Sequence, residues 1–258
     1  KTDDTSQCVP GFANVSRSVG FWYDRVSPST FPSVAVVPAV QVNGAAISAS
    51  AVTPTAFNLS FNAQGIATIT SNYADAGMLR LNARYDGSSA NNDTGLVMAG
   101  ADLFVSHPAG LCVQSSQTCP LSASDSAYAS CTLAYKAGQS MAATISAKAW
   151  QVDGDTDFCT GNGGLYNFVH ANLPLSAQLL APSGGAAPTL SPTSVNYVAS
   201  AQANLNTNVV IDNVGVYRLS AGSRTLNYEG ISLDLLHSQQ QALGRIGPAS
   251  FNLDSSAV

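Results

Sequence analysis

This chain is short of charge, of long apolar runs and of helical periodicity, and each shortage removes a class of protein. Charged residues make up 10% of the 258, far below the globular average of about 25%, and Ala, Ser, Thr, Asn and Gly fill the surface instead. With 45% hydrophobic residues the low charge is not a disordered composition. Ten basic residues scattered through a chain of net charge -5 form no stripe for displacing counterions, so nucleic acid is not an expected partner. No run of 18 apolar residues occurs, so no membrane span is expected. There is no Gly-x-Ser-x-Gly, no His-Glu-x-x-His and no glycine-rich phosphate loop, and His107, His170 and His237 stand far apart. Acidic pairs for glycoside cleavage can be drawn from Asp102, Asp125 and Asp153, but no pattern selects one. The chain is therefore not read as an enzyme. It starts at Lys1 without an initiator Met or a signal peptide, and so reads as a mature or excised fragment.

What is present is β pattern. Val34–Val37, Phe57–Phe61 with strict alternation, Ile66–Ile69 and Met78–Tyr85 read as short strands punctuated by Gly, Pro, Asn and Asp. Asp102–Pro108 reads as a strand ending at a seam, and Gly110–Cys131 as a serine-rich loop. Ser140–Trp150 reads as a strand delivering Trp150 to a core, and 209–221 as a strand finishing that domain. Ala181–Pro188 is an internal loop. Leu233–Leu243 fits a short helix, and a strand with a polar turn fits it equally well. The fold class expected is all-β, a tandem pair of immunoglobulin-like β-sandwich domains. Residues 1–32 are a lead-in or the end of a preceding module, 33–107 the first sandwich, 108–228 the second with disulfide-bearing loops, and 229–258 a C-terminal segment or the start of a further module.

The chain also repeats itself. Asp75-Ala-Gly-Met-Leu-Arg-Leu81 returns as Asp212-Asn-Val-Gly-Val-Tyr-Arg-Leu219, and Arg25-Val-Ser-Pro-Ser-Thr-Phe31 returns as Arg245-Ile-Gly-Pro-Ala-Ser-Phe251. In the first pair Asp and Gly make a tight turn into a strand, the corner that precedes strand F in immunoglobulin-like folds. Tyr217 stands where a tyrosine-corner hydroxyl is needed, and Leu79 holds that place in the first copy. The second pair, at the two ends, points to a piece of a longer tandem array.

Five cysteines point to an oxidising compartment. Cys112, Cys119, Cys131 and Cys159 are the disulfide candidates; four cysteines allow three connectivities, and Cys8 is left over. Asp153-Gly-Asp-Thr-Asp157 places carboxylates at alternate positions as calcium loops do, so Asp153, Asp155 and Asp157 are the candidate calcium ligands. The twelfth position is Gly164 where an EF-hand has Glu, and a solvated acidic turn is the plainer reading. Trp22, Tyr23, Tyr73 and Tyr85 are expected to pack in cores, whereas Trp150 and Tyr166 are the candidate ligand face beside the acidic turn.

The order of Gly65-Ile-Ala-Thr-Ile69, Tyr73-Ala-Asp-Ala-Gly77, Leu79–Asp86, Phe104-Val-Ser-His-Pro-Ala-Gly-Leu-Cys112, Tyr135–Gly138, Ala147–Gln151, Asp155-Thr-Asp-Phe-Cys159 and Asn167-Phe168 resembles the C-terminal region of MshQ-like proteins of the MSHA (mannose-sensitive haemagglutinin) type IV pilus systems. Gly244–Phe251 resembles that family's recurrent Gly-Arg-Phe-x-Pro-x-x-Phe element, with Ile246 in the aromatic place. The resemblance implies a non-catalytic subunit outside the cell, on the bacterial surface or pilus, in a structural stalk or adhesion role. Its partners would be other modules of a longer chain, pilus subunits, and surface glycans or proteins. The rival reading is a calcium-dependent carbohydrate-binding module; no other cofactor is expected.

Overall fold

The structure is a computed structural model that describes residues 11–30, 38–119, 125–155, 157–222, 225–234 and 242–251. Nearly every element is a strand, and the described residues divide into two compact units, 11–30 with 38–106, and 107–251. The predicted strand Val34–Val37, Cys8 and His237 lie outside the described residues.

In the first unit β1 (Ser16–Ser27), β2 (Gln41–Val42), β3 (Ala45–Ala46), β4 (Thr55–Ser60), β5 (Ser71–Asn72), β6 (Gly77–Asp86) and β7 (Val97–Ser106) form two antiparallel sheets, ordered β4-β1-β6-β7 and β3-β2-β5. Period-two alternation turns Val19, Phe21 and Tyr23 of β1, Leu59 of β4 and Leu79 of β6 inward, where they meet Val40, Val42 and Ile47 from the other sheet side. The expectation of a lead-in over 1–32 is corrected here: β1 sits between β4 and β6, and its alternating aromatics are core. Ile66–Ile69 is not a strand. Ala67 and Ile69 still pack on the core, so their alternation reports burial without a ladder.

The second unit comprises β8 (Gly110–Ser115), β9 (Thr118–Cys119), the one-turn helix α1 (Asp125–Tyr128), β10 (Leu133–Lys136), β11 (Ser140–Lys148), β12 (His170–Ala181), β13 (Leu190–Ser191), β14 (Ser194–Tyr197), β15 (Asn204–Ile211), β16 (Val216–Ala221), β17 (Thr225–Tyr228), β18 (Ile231–Asp234), β19 (Ala242–Leu243) and β20 (Arg245–Gly247). Its larger sheets run β13-β15-β11-β8 and β14-β12-β16. Strand β11 buries every second residue, Met141, Ala143, Ile145 and Ala147. Tyr197 ties the two sheets: Ala147 N–H donates to its hydroxyl at 3.2 Å, and the hydroxyl donates to the Ala203 carbonyl at 3.0 Å. Burial pushes the Tyr197 hydroxyl up to about 12.

Three further expectations are corrected in this unit. The span 110–131 holds β8, β9 and α1 and is not a plain loop. The span 209–221 is the end of β15 and all of β16, separated by the Asp212–Gly215 turn. Residues 229–251 do not start a further module, because β18 pairs with β17, β19 with β9 and β20 with β10. Of the two readings of Leu233–Leu243, a short helix or a strand with a polar turn, the described ends are strands β18 and β19, and residues 235–241 lie outside the described residues.

The first sequence repeat is a repeat in space. Gly77 and Gly215 open β6 and β16 with φ of +140° and +147°. A Cβ on Gly77 would stand 2.5 Å from the Ser27 carbonyl oxygen, and one on Gly215 2.7 Å from that of Ala181. Met78 pairs with Ser27 and Leu79 with Arg25 across a register shift; Val216 pairs with Ala181 and Tyr217 with Leu179 across the same shift. Tyr217 is fully buried and its hydroxyl donates to the Val214 carbonyl at 2.9 Å, the hydrogen bond of a tyrosine corner. The second repeat is not equivalent. The counterpart of Arg25-Val-Ser-Pro28 is Leu179-Leu-Ala-Pro182, whereas Ile246 lies across Gly215 on the opposite side.

Gly215→Ala is expected to destabilise the protein by ~2 kcal/mol or more, since both the positive φ and the carbonyl contact oppose a side chain. Urea unfolding checks this, with Gly100→Ala, which meets nothing within 4 Å, as the near-neutral control. Alkali is expected to unfold the protein through Tyr197. Its folded-state value is raised above the ordinary tyrosine value, so its contribution is present below about pH 10 and is lost as pH rises toward about 12. Tyr197→Phe should flatten that loss and cost about 1–3 kcal/mol at neutral pH, because Ala147 N–H loses its acceptor.

Candidate ligand-binding surface

The loop that follows β11 is closed from several sides. Ala149 N–H donates to the Gly163 carbonyl and Leu165 N–H to the Ala147 carbonyl, so the returning chain pairs against the end of β11. The Asn162 amide donates to the Ala149 carbonyl at 3.0 Å, and Lys148 Nζ donates to the Asn162 carbonyl at 3.2 Å. Phe158 is buried, and its neighbour Cys159 is joined to Cys112 on β8. The second disulfide joins Cys119 to Cys131 and closes the segment bearing α1. Sequence left three connectivities open; the strands place Cys112 and Cys159 with Cα atoms 5.6 Å apart, and Cys119 and Cys131 6.0 Å apart. With sequence separations of 47 and 12 residues, chain entropy assigns the bridges about 4 and about 3 kcal/mol.

This closed loop turns Trp150 outward. The expectation that Trp150 enters a core is corrected: β11 buries its odd-numbered residues Met141 to Ala147, Trp150 lies past the strand's end with the parity of the outward Ser146 and Lys148, and the indole is 60% exposed. Val152 beside it is 57% exposed. Trp150 Nε1 donates to Asp153 Oδ1 at 3.3 Å, which orients the ring on the turn. Tyr166, the other candidate for a ligand face, is less exposed. Tyr166 is half-buried with its carbonyl accepting from Ser200 N–H, and Ala203 crowds Gly164, where a Cβ would lie 2.6 Å from the alanine methyl.

The acidic turn does not assemble a metal shell. Asp153 accepts from Trp150, and Asp155 Oδ1 accepts from the Asp157 N–H at 3.0 Å in a local turn. Among the described residues no three His, Cys, Asp or Glu side chains converge to hold a metal ion, so Asp153, Asp155 and Asp157 are not brought together as the calcium spacing predicts. His107 Nδ1 lies 2.8 Å from the Pro108 carbonyl and His170 Nε2 3.1 Å from that of Asn227, both structural contacts.

Sequence reasoning missed a cleft of about 530 Å³ in the second unit at the Gly215 corner. Tyr128, Leu133, Pro182, Val216 and Ile246 make its apolar walls, with Asp125 and Arg245 at its polar positions. Both charges are engaged: Asp125 accepts from Ser183 N–H and Oγ at 2.7 Å, which holds its carboxyl below the usual range, and Arg245 donates to the Ala129 carbonyl at 2.9 Å. The Gly244–Phe251 element was visible in sequence, but only its pairing with β10 shows that Arg245–Pro248 lines a cleft.

Residues 1–101 match the family described as domain of unknown function DUF6701, first Ig-like domain, and residues 107–208 match the second domain of DUF6701. No curated protein and no solved structure matches the chain.

Trp150→Ala is expected to leave stability within about 0.5 kcal/mol, as exposed substitutions do. Phe158→Ala, eight residues on, should cost about 3–5 kcal/mol through lost burial. Denaturant midpoints of the two variants separate a displayed side chain from a packed one.

Proposed function

Across those two stretches the chain belongs to the DUF6701 family, and on that premise we propose that it is a non-catalytic extracellular module of an MSHA-like type IV pilus-associated protein, acting in adhesion or as a stalk. The observation that carries the reading is Trp150, a large aromatic held outward by a hydrogen bond to Asp153 on a disulfide-clipped loop of a β-sandwich. Exposing an indole on an otherwise closed loop forgoes its burial, which is useful where a partner supplies the missing contact. Two disulfides support an oxidising compartment, and no helix among the described residues is long and apolar enough to cross a membrane. The ordered resemblance to MshQ-like proteins supports the pilus setting.

The same indole favours a second reading, a carbohydrate-binding module in which a sugar stacks on Trp150 with Lys148 and Asp153 nearby as polar groups. The local engagement of Asp153 and Asp155 lends that reading no calcium requirement.

Deletion of the gene in its host is expected to reduce attachment, and Trp150→Ala to reproduce that defect at unchanged surface abundance. Normal piliation and attachment after deletion would overturn the proposal. A glycan array, run with and without calcium, decides the second reading: signal lost in Trp150→Ala supports it, and a blank array removes it.

A further inference from the structure

Strand β7 is the outer edge of the first unit's four-stranded sheet. It pairs with β6 in an unbroken register from Gly77 with Ser106 to Asp86 with Val97, and no strand among the described residues takes its other side. Gly87 N–H donates to the Leu96 carbonyl at 2.7 Å, continuing that register. Even-numbered residues of β7 therefore turn their peptide groups toward β6, and Val97, Ala99, Ala101 and Leu103 turn theirs to the open side. These four also share the sheet face opposite the buried Leu79 and Tyr85, whose partners are Phe104 and Met98. All four are exposed, Val97 at 56% and Leu103 at 49%.

Sheet edges are usually guarded by lysine, proline or a bulge. Strand β7 has none of these; its one charge is Asp102, whose Oδ1 accepts from the Leu103 N–H at 2.9 Å, and the outward N–H groups of Val97, Ala99 and Ala101 are left open.

We propose that this edge is where a second copy of the chain docks, the two β7 strands pairing antiparallel about a twofold axis at Gly100. A contact of this symmetry must be complementary to itself, and β7 meets the condition in one register. Rotation about Gly100 sets Ala99 against Ala101 and Val97 against Leu103, the residues whose peptide groups face outward; the Leu103 N–H already donates to Asp102 Oδ1 at 2.9 Å in each copy, so about six main-chain hydrogen bonds form between copies. Each Asp102 meets Met98, which keeps the two like charges apart. On the outer face Arg80 lies beside Leu103 and Asp86 beside Val97. The row across the interface thus begins with Arg80 of one copy and ends with Asp86 of the other, charges of opposite sign. Four strands from each copy would join into one sheet.

The experiment uses the whole chain with Cys8→Ser, so that introduced thiols have no competitor. Sedimentation over a concentration series is expected to show a monomer–dimer equilibrium. Leu103→Lys, an exposed change, should weaken it at least tenfold, and Ala101→Pro should do the same, because the lost N–H faces the open side and the β6 ladder is spared. Circular dichroism shows whether each variant folds; if the proline variant does not, the lysine variant carries the test. On oxidation Gly100→Cys should cross-link two copies at least tenfold faster than Ala101→Cys, since only residue 100 faces itself, and a Cβ there meets nothing within 4 Å. A monomer at every concentration, a dimer indifferent to Leu103→Lys, equal cross-linking at the two positions, or a ladder of larger species would each overturn the proposal.

Discussion

Both units depend on one close approach, a glycine backbone seated against the carbonyl of a neighbouring strand. At Gly77 the carbonyl belongs to Ser27 and at Gly215 to Ala181, and in each case a side chain would overlap it. The contact sets which residue of β6 faces which residue of β1, and likewise for β16 and β12. A slip of one residue would turn Leu79 or Tyr217 to the wrong face of its sheet. The alternating aromatics of β1 and the buried stripe of β6 follow from that register. The corner therefore organises a core as well as a turn.

On this shared scaffold the second unit adds two disulfides, which the first lacks among the described residues, and tyrosine hydroxyls that fasten its turns and sheets. Tyr197 spans the sheets by accepting from Ala147 N–H on β11 and donating to the nearby Ala203 carbonyl, and the corner hydroxyl of Tyr217 closes its own turn. The Cys112–Cys159 bridge clips the loop after β11 onto β8. Those ties let the loop hold Trp150 in solvent without relying on the indole for packing. The surface proposed to meet a ligand is thus built on the disulfide-bearing unit, and a covalently clipped loop is the preorganisation such a site requires.

The repeat of Asp, Gly and an apolar strand was legible in sequence, because a tight turn and period-two alternation are local properties. Three misreadings share another cause. Trp150 reads in sequence as the core residue of β11, but the strand's buried set is odd-numbered and its ladder stops at Lys148, so residue 150 falls on the outward side. Ile66–Ile69 alternates because one side of it is buried, although no strand pairs with it. Residues 242–247 look detached in sequence because the partners of β19 and β20, β9 and β10, lie more than a hundred residues earlier. Spacing marked the three aspartates for calcium; the structure engages the Asp153 and Asp155 carboxylates in local hydrogen bonds instead of gathering a ligand set among the described residues. The likeness of Arg25–Phe31 to Arg245–Phe251 was real as sequence, but Arg25 and Ser27 pair beside Gly77 where Leu179 and Ala181 pair beside Gly215, and Ile246 meets Gly215 from the other side.

Sequence alone determined the all-β class, the two-unit organisation, the glycine corners and the four cysteines that pair. These follow from composition, alternation and the few conformations open to Asp-Gly turns. Only the tertiary structure decided that the disulfides run 112–159 and 119–131, that β1 is central, that Trp150 is displayed and that β7 is left as an open edge. The reason is range: each of these depends on which strand lies beside which, and that is settled by the joint burial of residues far apart in the chain.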